Sequence, residues 1–278
     1  MAVSERYTMN RPVLVLCSAL LAFAAMTATA RAAELRVCSD PDYLPFSNRA
    51  GHGFENKLAS LMAKMLGDTL VYTWETTRGP GGFDQFLHDT LEARKCDVVI
   101  DVPYASENVA PTQPYYISSY VFVYLKKRGY DITSMDSPAL KNLRIGYESA
   151  TPAEDGLKIR ALTPHSVPFD TSDSPGNSPD EILRALQSGR IAVAITWEPA
   201  IGYYLRSHPE FAVVAVPNSR SQGAPEQYAF PMAMATRSGD TRLRDRLSSV
   251  LQGHKGQFEA ILEQYGVRLY KAPDISGT

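Results

Sequence analysis

The amino-acid sequence predicts an α/β fold of two units, each a mostly parallel sheet flanked by helices. Runs rich in β-branched residues alternate with amphipathic helical patterns between residues 35 and 102, and this alternation is typical of doubly wound sheets. The same alternation begins again after Asp136-Ser137-Pro138. An apolar leader precedes both units, so the folded part is predicted to begin near residue 33.

Residues 1–32 are predicted to be a cleavable signal peptide. Arg6 and Arg11 precede an apolar run at residues 12–26, and Ala30-Arg31-Ala32 offers small residues for cleavage. The run is short for a membrane span of about 20 residues, so a retained N-terminal anchor is the less favoured alternative. We therefore expect an exported protein without membrane contact after cleavage.

The first unit begins with a strand at residues 35–38 and a proline-rich loop at residues 40–48. A helix is predicted from Phe54 to Leu66, because apolar residues recur there at helical spacing and Gly67 follows as a stop. The remaining elements of this unit are predicted at residues 70–74 (strand), 83–93 (helix) and 96–102 (strand).

The rest of the chain continues the pattern. Thr151-Pro152 and Ser178-Pro179 predict helix starts, since each places a hydroxyl cap before proline at the first helical position. The other strands and the closing helices are predicted at residues 143–147, 191–196, 230–235, 241–252 and 257–265.

Composition excludes nucleic acid as a partner. The chain has 28 Lys and Arg against 30 Asp and Glu, a formal net charge of −2, whereas nucleic-acid binding needs clustered positive charge.

Cys38 and Cys96 remain after signal cleavage. Their even number in an oxidising compartment favours a disulfide. Against this, Cys38 lies near the end of one predicted strand and Cys96 at the start of another. If these strands are parallel neighbours, those two ends lie farther apart than the roughly 7 Å between Cα atoms that a disulfide spans. Both possibilities stay open.

Several short motifs resemble type II periplasmic solute-binding proteins. Gly53-Phe54-Glu55-Asn56-Lys57-Leu58 is similar to the family's helix opening, and Leu186-Gln187-Ser188-Gly189-Arg190 is similar to a helix stop of that family. The resemblance implies two lobes joined by crossings near residues 126–133 and 216–227. The first lobe would comprise residues 33–129 and 223–278, and the second lobe residues 130–222.

A closer resemblance is to the XoxJ/MxaJ group, the binding-protein-like members of methanol dehydrogenase gene clusters. It is carried by these segments: Val37-Cys38-Ser39-Asp40-Pro41, Leu44-Pro45-Phe46-Ser47-Asn48, Cys96-Asp97-Val98-Val99, Pro114-Tyr115-Tyr116, Tyr120-Val121-Phe122-Val123 and Trp197-Glu198-Pro199. One departure is Ile100-Asp101-Val102, where a glycine would be expected in place of Asp101. A carboxylate is thus predicted near the floor of the cleft.

Ligands of α/β sheets lie outside the carboxyl ends of the strands. The residues predicted to line such a cleft are Asp42, Tyr43, Phe46, Asp101, Tyr104, Tyr147, Thr151, Trp197 and Glu198. The arginine that amino-acid receptors use for a ligand carboxylate is missing from Ser106-Glu107-Asn108, and Trp197 stands where they have an aspartate. Because a free amino acid would leave its charged ends unpaired, an ordinary amino-acid ligand is disfavoured.

The resemblance implies a non-catalytic, monomeric periplasmic accessory protein. Its partner would be a pyrroloquinoline-quinone methanol dehydrogenase of the lanthanide-dependent type, together with that enzyme's cytochrome c. It would act in activation, maturation or assembly through an aromatic-lined cleft, with no cofactor or metal of its own. One alternative is an importer's solute-binding protein for an aromatic or apolar molecule. Another is a lyase with Asp101 and Glu198 as an acid–base pair across the cleft.

Overall fold

A computed structural model describes Met1, residues 33–170 and residues 177–271. Apart from Met1, the predicted signal peptide lies outside the described residues. The chain divides into Met1–Ala33 and Glu34–Thr278, and the second unit contains the elements described below. None of the described helices combines the length and the apolar character that crossing a membrane requires.

Twelve strands are formed by the described residues. They are β1 (Glu34–Ser39), β2 (Asp42–Tyr43), β3 (Ser47–Asn48), β4 (Thr69–Trp74), β5 (Val98–Pro103), β6 (Val109–Pro111), β7 (Tyr116–Leu125), β8 (Ile145–Glu148), β9 (Val167–Phe169), β10 (Val193–Trp197), β11 (Phe211–Ala215) and β12 (Ala229–Arg237). Six of them (β1, β4, β5, β8, β10 and β12) lie close to the strands that the sequence predicts.

Helices separate most of these strands. The α-helices of the described residues are α1 (Phe54–Leu66), α2 (Gly82–Leu87), α3 (Pro152–Ile159), α4 (Glu181–Gln187), α5 (Glu198–Leu205), α6 (Thr241–Gly253) and α7 (Lys255–Gln264). A π-helical turn, His88–Glu92, continues α2, so this pair fills the single helix predicted at residues 83–93. Helix α1 ends at Gly67, whose left-handed φ of 71° suits a residue without a side chain.

Ten of the strands form one curled sheet in the order β4-β1-β5-β12-β7-β10-β8-β9, with β11 paired to β7 and β6 paired to β12. Strand β1 is parallel to β4 and β5, and β8 is parallel to β9 and β10. The centre is antiparallel, because the chain crosses outward along β7 and returns along β12. The sheet is therefore mixed, where the sequence predicts a mostly parallel one. The predicted α/β, two-lobed type II architecture is confirmed.

Strand β7 carries the first crossing. Its first part, Tyr116–Ser119, pairs with β12, whereas Tyr120 and the residues after it pair with β10 and β11. The chain thus passes between the two halves of the sheet before it reaches Lys126, earlier than the predicted crossing at residues 126–133. The difference arises because one long strand serves both halves, a pairing that no local sequence pattern specifies. The predicted lobe limits themselves stay a prediction.

Two groups of apolar clusters lie on the two halves of the sheet. In the first half, Leu35 of β1 packs with Phe54 and Met62 of α1 and with residues of the C-terminal helices. In the second half, Phe122 of β7 packs with Leu157 of α3. Trp197 and Phe230 are half-buried and pack against both clusters. These two side chains lie where the halves meet.

Cys38 and Cys96 form a disulfide with their Cα atoms 5.6 Å apart. Cys38 lies in β1, whereas Cys96 lies in the connection two residues before β5, the parallel neighbour of β1. The register pairs Val37 with Val98 and Cys38 with Val99, and Asp97 N–H donates to the carbonyl of Arg36 at 2.8 Å. Cys96 is thus outside the strand ladder, so the distance between strand ends that counted against a bond does not apply to it.

Candidate functional site

A cavity of about 840 Å³ opens at the carboxyl ends of the strands. It receives Asp40 after β1, Arg78 after β4, Asp101 from β5, Thr151 after β8 and Trp197 from β10. Both halves of the sheet thus contribute to one pocket. This is the place that the strand-end rule for α/β sheets predicts for a ligand.

One wall of the cavity is an aromatic column made of Tyr43, Phe46 and Trp197. The rings of Tyr43 and Phe46 are stacked with centroids 4.8 Å apart, and those of Phe46 and Trp197 are stacked at 5.5 Å with planes 17° apart. Phe46 also packs on Phe54 at 5.2 Å, so helix α1 holds the middle of the column. Trp197 is supplied by the other half of the sheet, so the column spans the meeting of the two halves.

Arg78, which is not among the residues predicted from the sequence, lies at the end of this column. It is only 4% exposed, and its guanidinium carbon lies 4.4 Å from the centroid of the Tyr43 ring. Nη2 donates to the carbonyl of Asp42 at 2.6 Å and Nη1 to the carbonyl of Asn177 at 3.2 Å. The strand-end rule could have found Arg78, because it follows β4 closely.

Asp40 balances the charge of Arg78. Its Oδ2 lies 3.7 Å from Arg78 Nε, and it also accepts hydrogen bonds from Thr77 N–H at 2.8 Å and the Thr76 hydroxyl at 3.0 Å. The expectation that rings replace opposite charges in the cleft is therefore incomplete. A cation is present, but carbonyl groups and an aspartate of this chain already hold it.

Two further carboxyl groups, Glu55 and Asp101, line the cavity; we call them the carboxyl pair. Asp101 is 6% exposed. Its Oδ1 accepts hydrogen bonds from Tyr116 Oη at 2.5 Å and Tyr115 Oη at 3.2 Å, whereas Oδ2 has no hydrogen-bond partner among the described residues. Burial raises the pKa of Asp101 to about 6, although the two tyrosines act to lower it.

Glu55 belongs to the first turn of α1. Burial raises the pKa of its carboxyl well above the ordinary value, and the negative charges of Asp101 and Asp40 add to the rise. The charge of Asp101 therefore makes ionisation of Glu55 more costly.

A β-bulge aims Asp101. Strands β5 and β12 pair Val99 with Ala235 and Val102 with Ala233, so Ile100 and Asp101 together face the single residue between these alanines. Asp101 has a φ of 63°. This left-handed conformation costs about 1 kcal/mol for most residues and is usually left to glycine, although aspartate tolerates it better than most. The left-handed backbone of the bulge explains why a glycine is expected at this position. Because the residue is an aspartate, the bulge directs a carboxylate toward the cavity.

Five of the nine residues predicted for the cleft line the cavity: Tyr43, Phe46, Asp101, Thr151 and Trp197. Asp42 does not, because it is exposed and only its backbone carbonyl contacts Arg78. Tyr104 follows β5 but is 43% exposed, outside the cavity. Tyr147 is 7% exposed and packs in the apolar cluster under α3. Side-chain direction along a strand alternates, and this decides which residues near a strand end face the cleft.

Glu198 also lies away from the cavity. It is 1% exposed and forms an ion pair from Oε1 to Arg268 Nε at 3.0 Å. As the first residue of α5 it contacts the C-terminal segment through Arg268, whereas Trp197 before it lines the cavity. The proposed acid–base pair of Asp101 and Glu198 across the cleft is therefore wrong. Burial nevertheless raises the pKa of Glu198 to about 7, against the lowering effect of Arg268.

We expect Glu198 to make stability depend on pH. Its folded-state pKa of about 7 exceeds the ordinary value of 4.5, so the folded protein binds this proton more tightly than the unfolded chain does. The stabilisation of the folded state by this tightly bound proton is complete below pH 4.5 and is lost as pH rises through 7. Urea unfolding should show that the wild type loses stability relative to Glu198→Gln as pH rises from 4.5 to 8, because glutamine does not titrate. A pH-independent difference would contradict this assignment.

Among the described residues, no group of three or more His, Cys, Asp and Glu side chains could hold a metal ion. Two carboxylates alone fall short of the six to eight oxygen ligands that calcium takes. The arrangement instead offers an aromatic wall, an engaged arginine and a pair of buried carboxyl groups.

The sequence profile of the bacterial extracellular solute-binding proteins, family 3, matches residues 35–268. The chain belongs to this family. One relative is MoxJ from Methylorubrum extorquens. It is 29% identical over an alignment 297 residues long, which covers 95% of this chain and 97% of MoxJ.

Solved structures extend the comparison. The crystal structure of MxaJ from Methlophaga aminisulfidivorans MPT has a TM-score of 0.77 and 26% identity, with 85% of this chain and 100% of that chain covered. The periplasmic binding protein XoxJ from Methylobacterium extorquens AM1 has a TM-score of 0.66 and 31% identity, with 85% and 99% covered. The resemblance to the XoxJ/MxaJ group that the motifs predict is thereby confirmed for this family 3 protein.

Proposed function

We propose that this family 3 protein is a non-catalytic, monomeric periplasmic accessory protein of a quinoprotein methanol dehydrogenase. Its role would be activation, maturation or assembly of the enzyme, and a segment of the enzyme would enter the cavity. The lanthanide-dependent type of dehydrogenase is the finer part of the proposal. Quinone and metal would belong to the enzyme.

Similarity to MoxJ, MxaJ and XoxJ over nearly their whole lengths supports the association with methanol oxidation. The observation that carries the proposed mode of binding is the aromatic column. Tyr43, Phe46 and Trp197 present stacked rings to a cavity of about 840 Å³, and aromatic side chains dominate the energetics of protein interfaces. A polypeptide segment with an apolar side chain fits such a wall.

The state of Arg78 supports a partner other than a free amino acid. Its Nη2 and Nη1 already donate to the carbonyls of Asp42 and Asn177. Its Nε, which has no hydrogen-bond partner among the described residues, lies 3.7 Å from Asp40. A ligand carboxylate would therefore compete with groups of this chain for the guanidinium. Buried donors that already have partners gain little from a new acceptor. Arg78 thus acts as a support for Tyr43 and for the loop that carries it.

Trp197→Ala is expected to weaken dehydrogenase binding tenfold or more, because central aromatic anchors contribute most of the affinity at interfaces. Titration calorimetry with the purified enzyme measures this loss, and the enzyme's cytochrome c serves as a second ligand. Trp74→Ala is the matched control: Trp74 stacks on Tyr72 at 4.5 Å, away from the cavity, and its loss should leave the affinity unchanged.

Two results would contradict the proposal. One is a wild-type protein that gives no heat with the dehydrogenase yet binds a small aromatic solute tightly, as expected of an importer's receptor. The other is equal weakening by Trp197→Ala and Trp74→Ala, which would mean that the binding surface lies elsewhere. Turnover of any solute by the purified protein would overturn the non-catalytic role.

A further inference from the structure

The charges that line the cavity do not cancel. Arg78 is the cationic side chain among the described lining residues, and Asp40 lies beside it. No second cationic side chain lines the cavity among the described residues, so the carboxyl pair, Glu55 and Asp101, is not balanced in this way. Asp84 adds a further carboxylate at the exposed rim. The cavity therefore favours a positively charged occupant over an anion or a zwitterion.

The position of Asp101 points to a ligand independently of this charge count. Its side chain is more than nine-tenths buried and lines the cavity, and no described residue donates to Oδ2. Native proteins rarely leave a buried carboxylate oxygen without a donor. The bulge that carries Asp101 also keeps a non-glycine residue at a φ of 63°. Backbone strain of this kind is concentrated at functional sites, where the side chain it presents is needed.

The surroundings of the carboxyl pair select the kind of cation. Two carboxylates provide too few ligands for calcium or zinc, and no larger set of His, Cys, Asp and Glu exists among the described residues. An ammonium or guanidinium group, in contrast, needs hydrogen-bond acceptors and tolerates aromatic faces next to its carbon chain. The column of Tyr43, Phe46 and Trp197 lines the same cavity.

We propose that the carboxyl pair binds an organic cation, an ammonium or guanidinium group, whose carbon skeleton lies against the aromatic column. In the accessory role proposed above, the cation is a lysine or arginine side chain of the dehydrogenase segment that enters the cavity. That the cation comes from the dehydrogenase rests on the proposed function, whereas the preference of the site for an ammonium or guanidinium group does not. A free amine presents the same chemistry, and the experiment separates the two sources.

The first arm uses small probes. Trp74→Phe leaves Trp197 as the only tryptophan of the mature chain, since the sequence contains two, so its fluorescence reports occupancy of the cavity. In this background we expect benzylammonium to bind at least tenfold more tightly than benzyl alcohol at pH 8 and constant ionic strength. Asp101→Asn should abolish the preference, because asparagine tolerates the left-handed conformation but carries no charge. Asp131→Asn, the matched control at an exposed aspartate outside the cavity, should keep it.

The second arm measures binding of the dehydrogenase by calorimetry. We expect Asp101→Asn to weaken it about tenfold relative to both the wild type and Asp131→Asn. A preference for benzylammonium with equal enzyme affinities for the wild type and Asp101→Asn would assign the site to a free amine and overturn the side-chain source. Enzyme binding that is unaffected by Asp101→Asn, together with no preference for benzylammonium, would overturn the cation site and leave the accessory role intact. A wild type that prefers benzylammonium but does not bind the enzyme would support the cation site and reject the accessory role.

Discussion

Replacing Cys38 and Cys96 together by alanine is expected to lower the free energy of unfolding by about 4 kcal/mol. The disulfide closes a loop between residues 58 positions apart, and a loop of that length restricts the unfolded chain by roughly this amount. Both cysteines are also buried, in a cluster with Phe86 and Leu91, so nothing in solvent compensates for the lost bond. For a domain of this size the melting temperature should fall on the order of 10 °C.

Calorimetric melting with and without a thiol reductant provides the internal control. The reductant should lower the melting temperature of protein that was produced in an oxidising compartment, and it should leave the Cys38→Ala, Cys96→Ala double variant unchanged. Equal melting temperatures for the oxidised wild type and the double variant would contradict the assigned stabilisation. A reductant effect on the double variant would point to a cause other than this bond.

Gly53→Ala should cost about 3 kcal/mol of stability and disturb the aromatic column. A Cβ atom at this position would lie 1.9 Å from the carbonyl oxygen of Phe46 and 2.5 Å from the backbone nitrogen of Ser47. Because these are backbone atoms, no side-chain rotation relieves the overlap, and the loss should reach the upper end of the range for overpacked sites. Gly53 has a φ of −79°, so space and not backbone conformation is what the glycine provides.

The loop that would have to move is fixed to helix α1. Phe54 N–H donates to the carbonyl of Pro45 at 2.9 Å and Glu55 N–H to that of Phe46 at 2.9 Å. A shift there displaces Phe46 from its stack with Trp197, so the tryptophan emission should change along with the melting temperature. Gly253→Ala is the control: its Cβ would meet nothing within 4 Å, and alanine is favoured over glycine in a helix. Similar losses for both variants would contradict the steric argument.

The cavity gains its chemical character from two departures from a simple aromatic cleft. Arg78 is held by Asp40 and by backbone carbonyls, and it closes one end of the column over Tyr43. Asp101 brings a carboxylate in from a bulge where a glycine would relieve the backbone. The engagement of Arg78 makes it poorly available to a ligand carboxylate. Asp101 adds a carboxylate whose Oδ2 has no hydrogen-bond partner among the described residues. Together they favour a cationic occupant.

Local pattern in the sequence was sufficient for the order of elements and for part of the site. Helix α1 was predictable because Phe54, Leu58 and Met62 recur at helical spacing and are all buried in the structure. Tyr43, Phe46 and Trp197 could be placed at the cleft because each lies near the end of a predicted strand. Strand ends and helical periodicity are properties of neighbouring residues, so they can be recognised without the fold.

Contacts between distant residues were decided only by the tertiary structure. The connection that leads into β5 beside β1 brings Cys96 to Cys38, and the passage of β7 through both halves of the sheet moves the crossing. The packing of α5 turns Glu198 toward Arg268 and away from the cavity. In each case the outcome depends on strand register or helix docking between segments tens of residues apart. A one-residue slip reverses the direction of every side chain in a strand, so local pattern leaves these contacts undetermined.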